Sequence, residues 1–212
     1  AAILEQKPRI VAVELDHNRL SALLSKQKPT VRFSDIFRIG LKGWIFAQLG
    51  AYAERTLGKK VGVAPGEDML SAVRTAQKIG AKLALIDQPI EKTLRRFSQT
   101  LTWKEKMKFA WDIIKQTIFR SGVRIDLRKV PPQKLIDTLM GELKRDYPSV
   151  YQTLIVERND YMARKLAVLN HHYPDATILA VVGAGHVQDL QKMLQNYINQ
   201  QTLKEEHVRK SA

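Results

Sequence analysis

Three polar residues close three apolar runs in this chain, and each is of a type that can do chemistry. Arg9-Ile-Val-Ala-Val-Glu-Leu-Asp16 ends around Glu14, and Ala81-Lys-Leu-Ala-Leu-Ile86 stops at Asp87. Thr177-Ile-Leu-Ala-Val-Val182 leads through Gly183-Ala184-Gly185 to His186. Short aliphatic runs bounded by polar or glycine residues predict buried strands. In an open parallel sheet, ligands bind outside the carboxyl ends of the strands. Parallel strands here would gather Glu14, Asp87 and His186 along one edge. An imidazole beside one or two carboxylates can bind a divalent metal or act as a general base. Gly183 and Gly185 permit a tight strand-to-helix turn whose N–H groups could hold an anion.

The same residues have plain structural uses. Glu14 and Asp87 could cap the helices that follow them, and His186 could be a hydrogen-bonded turn residue. Glu157 and Arg158 could form an internal ion pair. Other constellations are poorer. Gly183-Ala184-Gly185 lacks the third glycine of a dinucleotide fingerprint, and there is no Gly-x-Ser-x-Gly elbow or Walker lysine motif. His171 and His172 are adjacent, hence badly placed to ligate from one helix face.

Helices must position the strand ends. Ala1 to Gln6 reads as the last turns of a helix. Asp16 or Asn18 can cap a helix carrying Leu20, Leu23 and Leu24. Gly66-Glu67-Asp68-Met69 opens another, with acidic residues in the first turn where the helix dipole favours them. It runs to about Ile79 and stops at Gly80. This helix–glycine–strand order marks a parallel sheet with crossover helices. Residues 90–146 read as a basic helical excursion in which Trp103, Met107, Ala110, Ile114 and Ile118 recur at helical spacing. Lys104, Lys106, Lys108 and Lys115 fall on its other faces, and Pro131-Pro132 starts a new helix. Tyr147-Pro148 begins a helix to about Asn170. It holds Glu157-Arg158-Asn159-Asp160, which wrap round it so that some must face inward. A last helix carries Leu190, Met193 and Leu194, and the polar residues after Gln200 are expected to fray. These readings make residues 1–200 a single α/β domain and 201–212 a polar tail.

The stretch from Ile39 to Ala53 has Lys42 as its only charge, with Trp44, Phe46 and Tyr52 among glycines. A helix apolar all round is buried, paired or in lipid. Burial or a homodimer interface is expected first, and a membrane surface second. No cysteine is present, which excludes disulfides, thiolate metal sites and thiol nucleophiles. The formal charge is +14, from 35 Lys and Arg against 21 Asp and Glu, and such an excess attracts polyanions. Lys92 to Lys129 holds eleven Lys and Arg against three Asp and Glu, read first as a solvated helix face. The aromatic–basic pattern of an RNA-binding sheet is missing, so nucleic acid is not an expected partner. No apolar run of spanning length appears.

In order along the chain, five blocks are similar to those of the TraB (pheromone-shutdown) family. Val11-Ala-Val-Glu-Leu-Asp-His-Asn-Arg19 resembles its VVAVELDxxR signature. Gly66-Glu67-Asp68-Met69, Leu85-Ile86-Asp87 with Thr93 and Arg96, Glu157-Arg158-Asn159 with Met162, and Val182-Gly-Ala-Gly-His186 resemble later blocks. The resemblance runs from about Pro8 to Leu190. It implies a central, mainly parallel sheet with helical additions, as in the Tiki, ChaN and erythromycin-esterase group. In Tiki-type members, two Gly-x-x-His motifs and a glutamate are thought to bind a divalent metal and cleave peptide bonds. Here Gly183 to His186 matches the second motif and Glu14 the acid. The first motif, expected about thirty residues before Glu14, is not in the chain, which suggests a missing upstream strand. Gln88 stands where many members have arginine, and Asn159 where aspartate is commoner.

The resemblance implies a metal-dependent hydrolase, most simply a peptidase. His186 and Glu14 would ligate manganese, cobalt or zinc. Glu157 or Glu67 would move protons. Arg19, Arg96 or Arg158, with Asp87, Gly183 and Gly185, would hold substrate. The alternative is a non-catalytic protein that sequesters a peptide or docks on an anionic membrane through its basic and apolar segments. Either places the chain in the cytoplasm or peripherally at a membrane, and the full-length protein could carry transmembrane helices beyond this domain.

Overall fold

Four consecutive residues of the first apolar run, Ile10–Val13, form strand β1 and are all buried. The computed structural model describes residues 2–25, 66–105, 107, 108, 111 and 132–211. The apolar 39–53 stretch, with the homodimer contact expected of it, and Lys106 and Lys115 lie outside these residues. The chain divides into two units: Ala1–Pro29, Ala64–Ile90 and Val156–Ala212 form the first, Thr30–Val63 and Glu91–Ile155 the second.

In the first unit the sheet has the order β2-β1-β3, where β2 is Lys82–Leu85 and β3 is Ile178–Val181. Both neighbours pair with β1 in parallel, Ile10 opposite Lys82 on one side and Ile178 on the other. The expected parallel α/β architecture is therefore present. β1 is apolar at every position because it has a strand on each edge and helices on each face. Val11, Val13 and Leu15 point to one face. There they pack with Met69, Ala72, Val73 and Ala76 of α3 (Glu67–Lys78), Ile3 of α1 (Ala2–Gln6), and Leu20 and Leu23 of α2 (His17–Leu24). Ala12 points to the other face. It meets Met162, Ala163 and Leu166, and then Leu190. The strand's large side chains are wholly buried, each worth about 1.5–3 kcal/mol.

The second unit contains most of α4 (Ile90–Thr100), helical residues at 103–105, 107, 108 and 111, α5 (Gln133–Asp146), α6 (Pro148–Tyr151) and most of a π-helical turn, Gln152–Val156. Pro132 directly precedes α5, as expected of a helix start. Glu105 ties this unit together: one carboxylate oxygen accepts from the Thr102 N–H at 3.0 Å and hydroxyl at 2.6 Å, the other from the Ser149 N–H at 2.7 Å. Burial would push the pKa of Glu105 up, but these donors outweigh it and hold the carboxyl below its usual range.

The first unit also holds α7 (Glu157–His172) and α8 (Val187–Ser211), which pack against each other. α8 continues past Gln200 to Ser211.

Candidate functional site

β1, β2 and β3 run parallel, so their carboxyl ends lie together, and the hydrogen-bonded ladder carries on past them. Glu14 N–H donates to the Val181 carbonyl at 3.1 Å, and Ile86 N–H to the Val13 carbonyl at 3.0 Å. This extension fixes the backbone at Glu14 beside that of Val181 and brings Asp87 alongside, its N–H 3.3 Å from the Leu15 carbonyl.

Asp16 is the cap of α2, its Oδ1 accepting from Asn18 and Arg19 N–H at 2.8 and 3.1 Å. Glu14 and Asp87 cap no helix. They accept from one guanidinium instead. Arg158, in the first turn of α7, grips Asp87 with two bonds, Nε to Oδ1 at 3.0 Å and Nη2 to Oδ2 at 2.7 Å. Its Nη2 also bonds Glu14 Oε1. Arg19 Nη1 adds a third donor to Asp87 at 2.9 Å, and Gln88 N–H a fourth at 2.8 Å.

His186 sits in the turn between β3 and α8, buried beside Glu14. Its Nδ1 lies 2.7 Å from Asn159 Oδ1. A carbonyl oxygen only accepts, so Nδ1 carries a proton and Nε2 faces the site. Nε2 is 3.3 Å from both Arg158 Nη1 and Glu14 Oε1. The other Glu14 oxygen accepts from Gly183 N–H at 2.7 Å. A Cβ on Gly183 would stand 3.3 Å from that oxygen, so the absence of a side chain here lets the turn close on Glu14. Burial would raise the Glu14 carboxyl, but hydrogen bonding and charge from His186, the charge of Arg158 and the Gly183 N–H lower it to about 2. Glu14 is therefore an anion at any ordinary pH.

A metal needs donors aimed at one point. Bonds of about 2.0–2.2 Å at a tetrahedral angle put neighbouring donor atoms about 3.4 Å apart, close to the observed Nε2–Oε1 distance of 3.3 Å. A ligating imidazole usually donates its other N–H to an oxygen that fixes the ring, and Asn159 does this here. His186 and Glu14 thus fit two ligand positions. Among the described residues no third His, Asp or Glu joins them in a metal-holding group, and Arg158 stands against both donor atoms.

The remaining expected site residues are dispersed. Glu67 faces solvent and pairs with Arg74 at 3.4 Å. Glu157 is half-buried in the first turn of α7, and Gly185 lies in the turn before His186. Arg96 belongs to the second unit. Sequence reasoning had not linked Asn159 to His186, though Asn159, Met162, Ala163 and Leu166 form one buried stripe, and that spacing marks Asn159 as inward-facing. An open pocket of about 110 Å³ adjoins Asp87, lined among others by Asp16, Leu85, Tyr161 and Lys165.

A model of the TraB/PrgY/gumN family matches residues 1–201. "Uncharacterized protein MJ1365" of Methanocaldococcus jannaschii is 32% identical over 197 residues, which are 91% of this chain and 48% of that protein. The mouse and human proteins named "TraB domain-containing protein" are 25% and 24% identical, each over 95% of this chain and 59% of their own length. The chain thus spans about half the length of these relatives. No solved structure matches it. With the sequence blocks, the parallel sheet and a family match over nearly all its residues in agreement, the chain belongs to the TraB/PrgY/gumN family.

Proposed function

We propose that this domain carries most of the active site of a metal-dependent hydrolase acting on peptides, with His186 and Glu14 as metal ligands. The observation behind it is the 3.3 Å approach of His186 Nε2 to Glu14 Oε1, each atom fixed by a partner on its far side. The family resemblance supplies the peptide as substrate class. A bound divalent ion would acidify a water molecule and polarise the scissile carbonyl.

The chain's own groups have separate tasks. Asn159 keeps the proton of His186 on Nδ1 and leaves Nε2 free to ligate. Gly183 N–H orients Glu14. Arg158 is anchored on Asp87 by its two bonds, and an ion held by His186 and Glu14 would replace its contact with Glu14. Its guanidinium would then offer a fixed positive charge to the oxyanion that develops on a scissile carbonyl. Arg19 holds Asp87 from the other side and keeps that anchor in place.

The test is calorimetric titration with Mn²⁺, Co²⁺ and Zn²⁺ of this chain and of a longer protein that includes the upstream segment, followed by peptide-cleavage assays. We expect tight binding in the longer protein, lost in His186→Ala and Glu14→Ala together with metal-dependent turnover. Absence of binding in both proteins would overturn the metal reading. Peptide binding without turnover in the metal-loaded protein would replace it with sequestration.

A further inference from the structure

Lys165, on α7, is a half-buried cation at the carboxyl end of the sheet. Its ammonium group donates to the Leu85 carbonyl at 2.9 Å and lies 5.1 Å from the centre of the Tyr161 ring. An ammonium group has three N–H donors, and the carbonyl takes one. No carboxylate among the described residues pairs with it. The nearby guanidinium groups differ: Arg158 holds Asp87 and Glu14, and Arg19 holds Asp87. Lys165 lines the pocket beside Asp87, which lies wholly in the first unit. Leu85, Pro89 and the Tyr161 ring give that pocket apolar walls. Its two acids are already committed. Asp87 accepts from Arg158 and Arg19. Asp16 caps α2 with one oxygen, and its other oxygen is closed off from solvent. The charge left for a ligand to answer is therefore the Lys165 ammonium.

Place and size decide what the pocket takes. Leu85 ends β2 and stands opposite Val13 of β1, the residue before Glu14. Neighbouring strands are about 4.8 Å apart, so the ammonium lies on the order of 5–10 Å from the Glu14 carboxyl. An extended peptide advances about 3.3 Å per residue and covers that distance in about two or three residues. Pockets for whole small molecules hold about 300–1,000 Å³. This one holds about 110 Å³, room for a side chain or a chain end. An ammonium group among apolar walls recognises a carboxylate on a short carbon stem. We propose that Lys165 and this pocket bind a carboxylate of the peptide substrate, about two or three residues from His186 and Glu14. The end of the peptide and an acidic side chain offer the same group. The inference rests on the peptide reading of the site and is independent of the metal.

A protein with a formal charge of +14 attracts any anion, so the test must separate the pocket from general attraction. It is made without metal, so that no turnover intervenes. Nitrogen-15 NMR of the protein follows titration with N-acetylated tripeptides: trialanine with a free carboxyl end, trialanine amide, and the amide with glutamate at the central position. We expect a carboxylate peptide to bind more than about tenfold tighter than trialanine amide, as a hydrogen bond to a charged group would give. The backbone signals of Leu85 and Lys165 should shift. Preference for the free acid assigns the pocket to the peptide's end, and preference for the glutamate peptide to an acidic side chain. Lys165→Met should erase the preference with an unchanged far-UV spectrum. Lys78→Met, which removes an exposed lysine near the opposite end of β2, should keep it. Equal affinity for all three peptides, shifts confined to other regions, or equal loss in the two variants sinks the proposal. If Lys165→Met does not fold, the parent protein's choice between acid and amide, with the location of its shifted signals, still decides. Metal binding without a carboxylate preference removes this subsite and leaves the hydrolase reading standing, and the converse result does the reverse.

Discussion

Arg158→Met is the most informative single perturbation of this fold. Methionine has a comparable length and no charge, so the variant leaves Glu14 and Asp87 buried without the cation they share. Removing one partner of a buried ion pair costs about 3–5 kcal/mol, because the other charge stays behind. Both acids keep some support here: Asp87 retains Arg19 and Gln88 N–H, and Glu14 retains Gly183 N–H and His186. We therefore expect the low end, about 3 kcal/mol. The pH dependence provides a second magnitude. Glu14 lies at about 2 against an ordinary 4.5, a displacement worth about 3 kcal/mol. His186 supplies more of it than Arg158 does, so most of the loss at neutral pH comes from Asp87. A carboxyl lowered in the folded state stabilises fully above its unfolded value. That contribution is lost as pH falls from about 4.5 through about 2. Without Arg158 the Glu14 carboxyl rises, and acid unfolding should begin at higher pH. Urea unfolding followed by circular dichroism at pH 7, with an acid titration of both proteins, checks both statements. A loss under about 1 kcal/mol, the level of an exposed pair, with an unmoved acid limb would refute the shared-cation arrangement.

Other outcomes follow from the same geometry. Gly66 has φ +83° and its added Cβ would lie 3.0 Å from Leu23 Cδ2, so Gly66→Ala should cost about 1–2 kcal/mol in thermal or urea unfolding, and a neutral result would count against that turn. Asn159→Leu keeps the apolar packing but removes the acceptor of His186 Nδ1–H. Nitrogen-15 NMR of the imidazole should then show mixed tautomers, and an unchanged Nδ1-protonated signature would contradict Asn159 as the positioning group. Gly183→Ala presses a methyl toward Glu14 Oε2 and His186 Cδ2, at 3.3 and 3.7 Å. We expect a small stability loss, about 1 kcal/mol or less, but clearly weaker metal binding by the longer protein, and equal affinity would show that the turn does not set the position of Glu14.

The parts of the fold legible in sequence are those where local pattern and tertiary role agree. Ile10 to Val13 reads as a strand buried on both faces because it is one. The acidic start of α3 and the Asp16 cap are local chemistry, complete within a few residues. The choice among Glu157, Arg158, Asn159 and Asp160 was not legible. All four are polar, and which of them turns inward depends on how α7 docks against the sheet. Docking through Met162, Ala163 and Leu166 brings Arg158 and Asn159 to the strand ends and leaves Asp160 to bind Arg164 and Tyr197. Trp103 and Met107 show the reverse failure. Their spacing marks one helix face correctly, yet periodicity says nothing about which face is covered. The buried face was decided by Glu105, whose partners at Thr102 and Ser149 could not be read from spacing.

The strand order has a consequence for the birth of the molecule. Among the described strands β1 is first in sequence and central in space, and its two neighbours are supplied by residues 82–85 and 178–181. A ribosome adds about 5–20 residues per second, so the apolar run Ile10–Val13 is synthesised many seconds before its second edge can be covered. Pairing between segments so distant is slow, because the intervening loop must close before any contact rewards it. For that interval this wholly apolar strand is without a partner on one side, and chaperones that hold aliphatic segments would find it there. β3 leads directly into the turn bearing His186. The growing chain therefore brings His186 to the candidate site only long after Glu14 and Asp87 have been made, which keeps shorter nascent chains chemically silent.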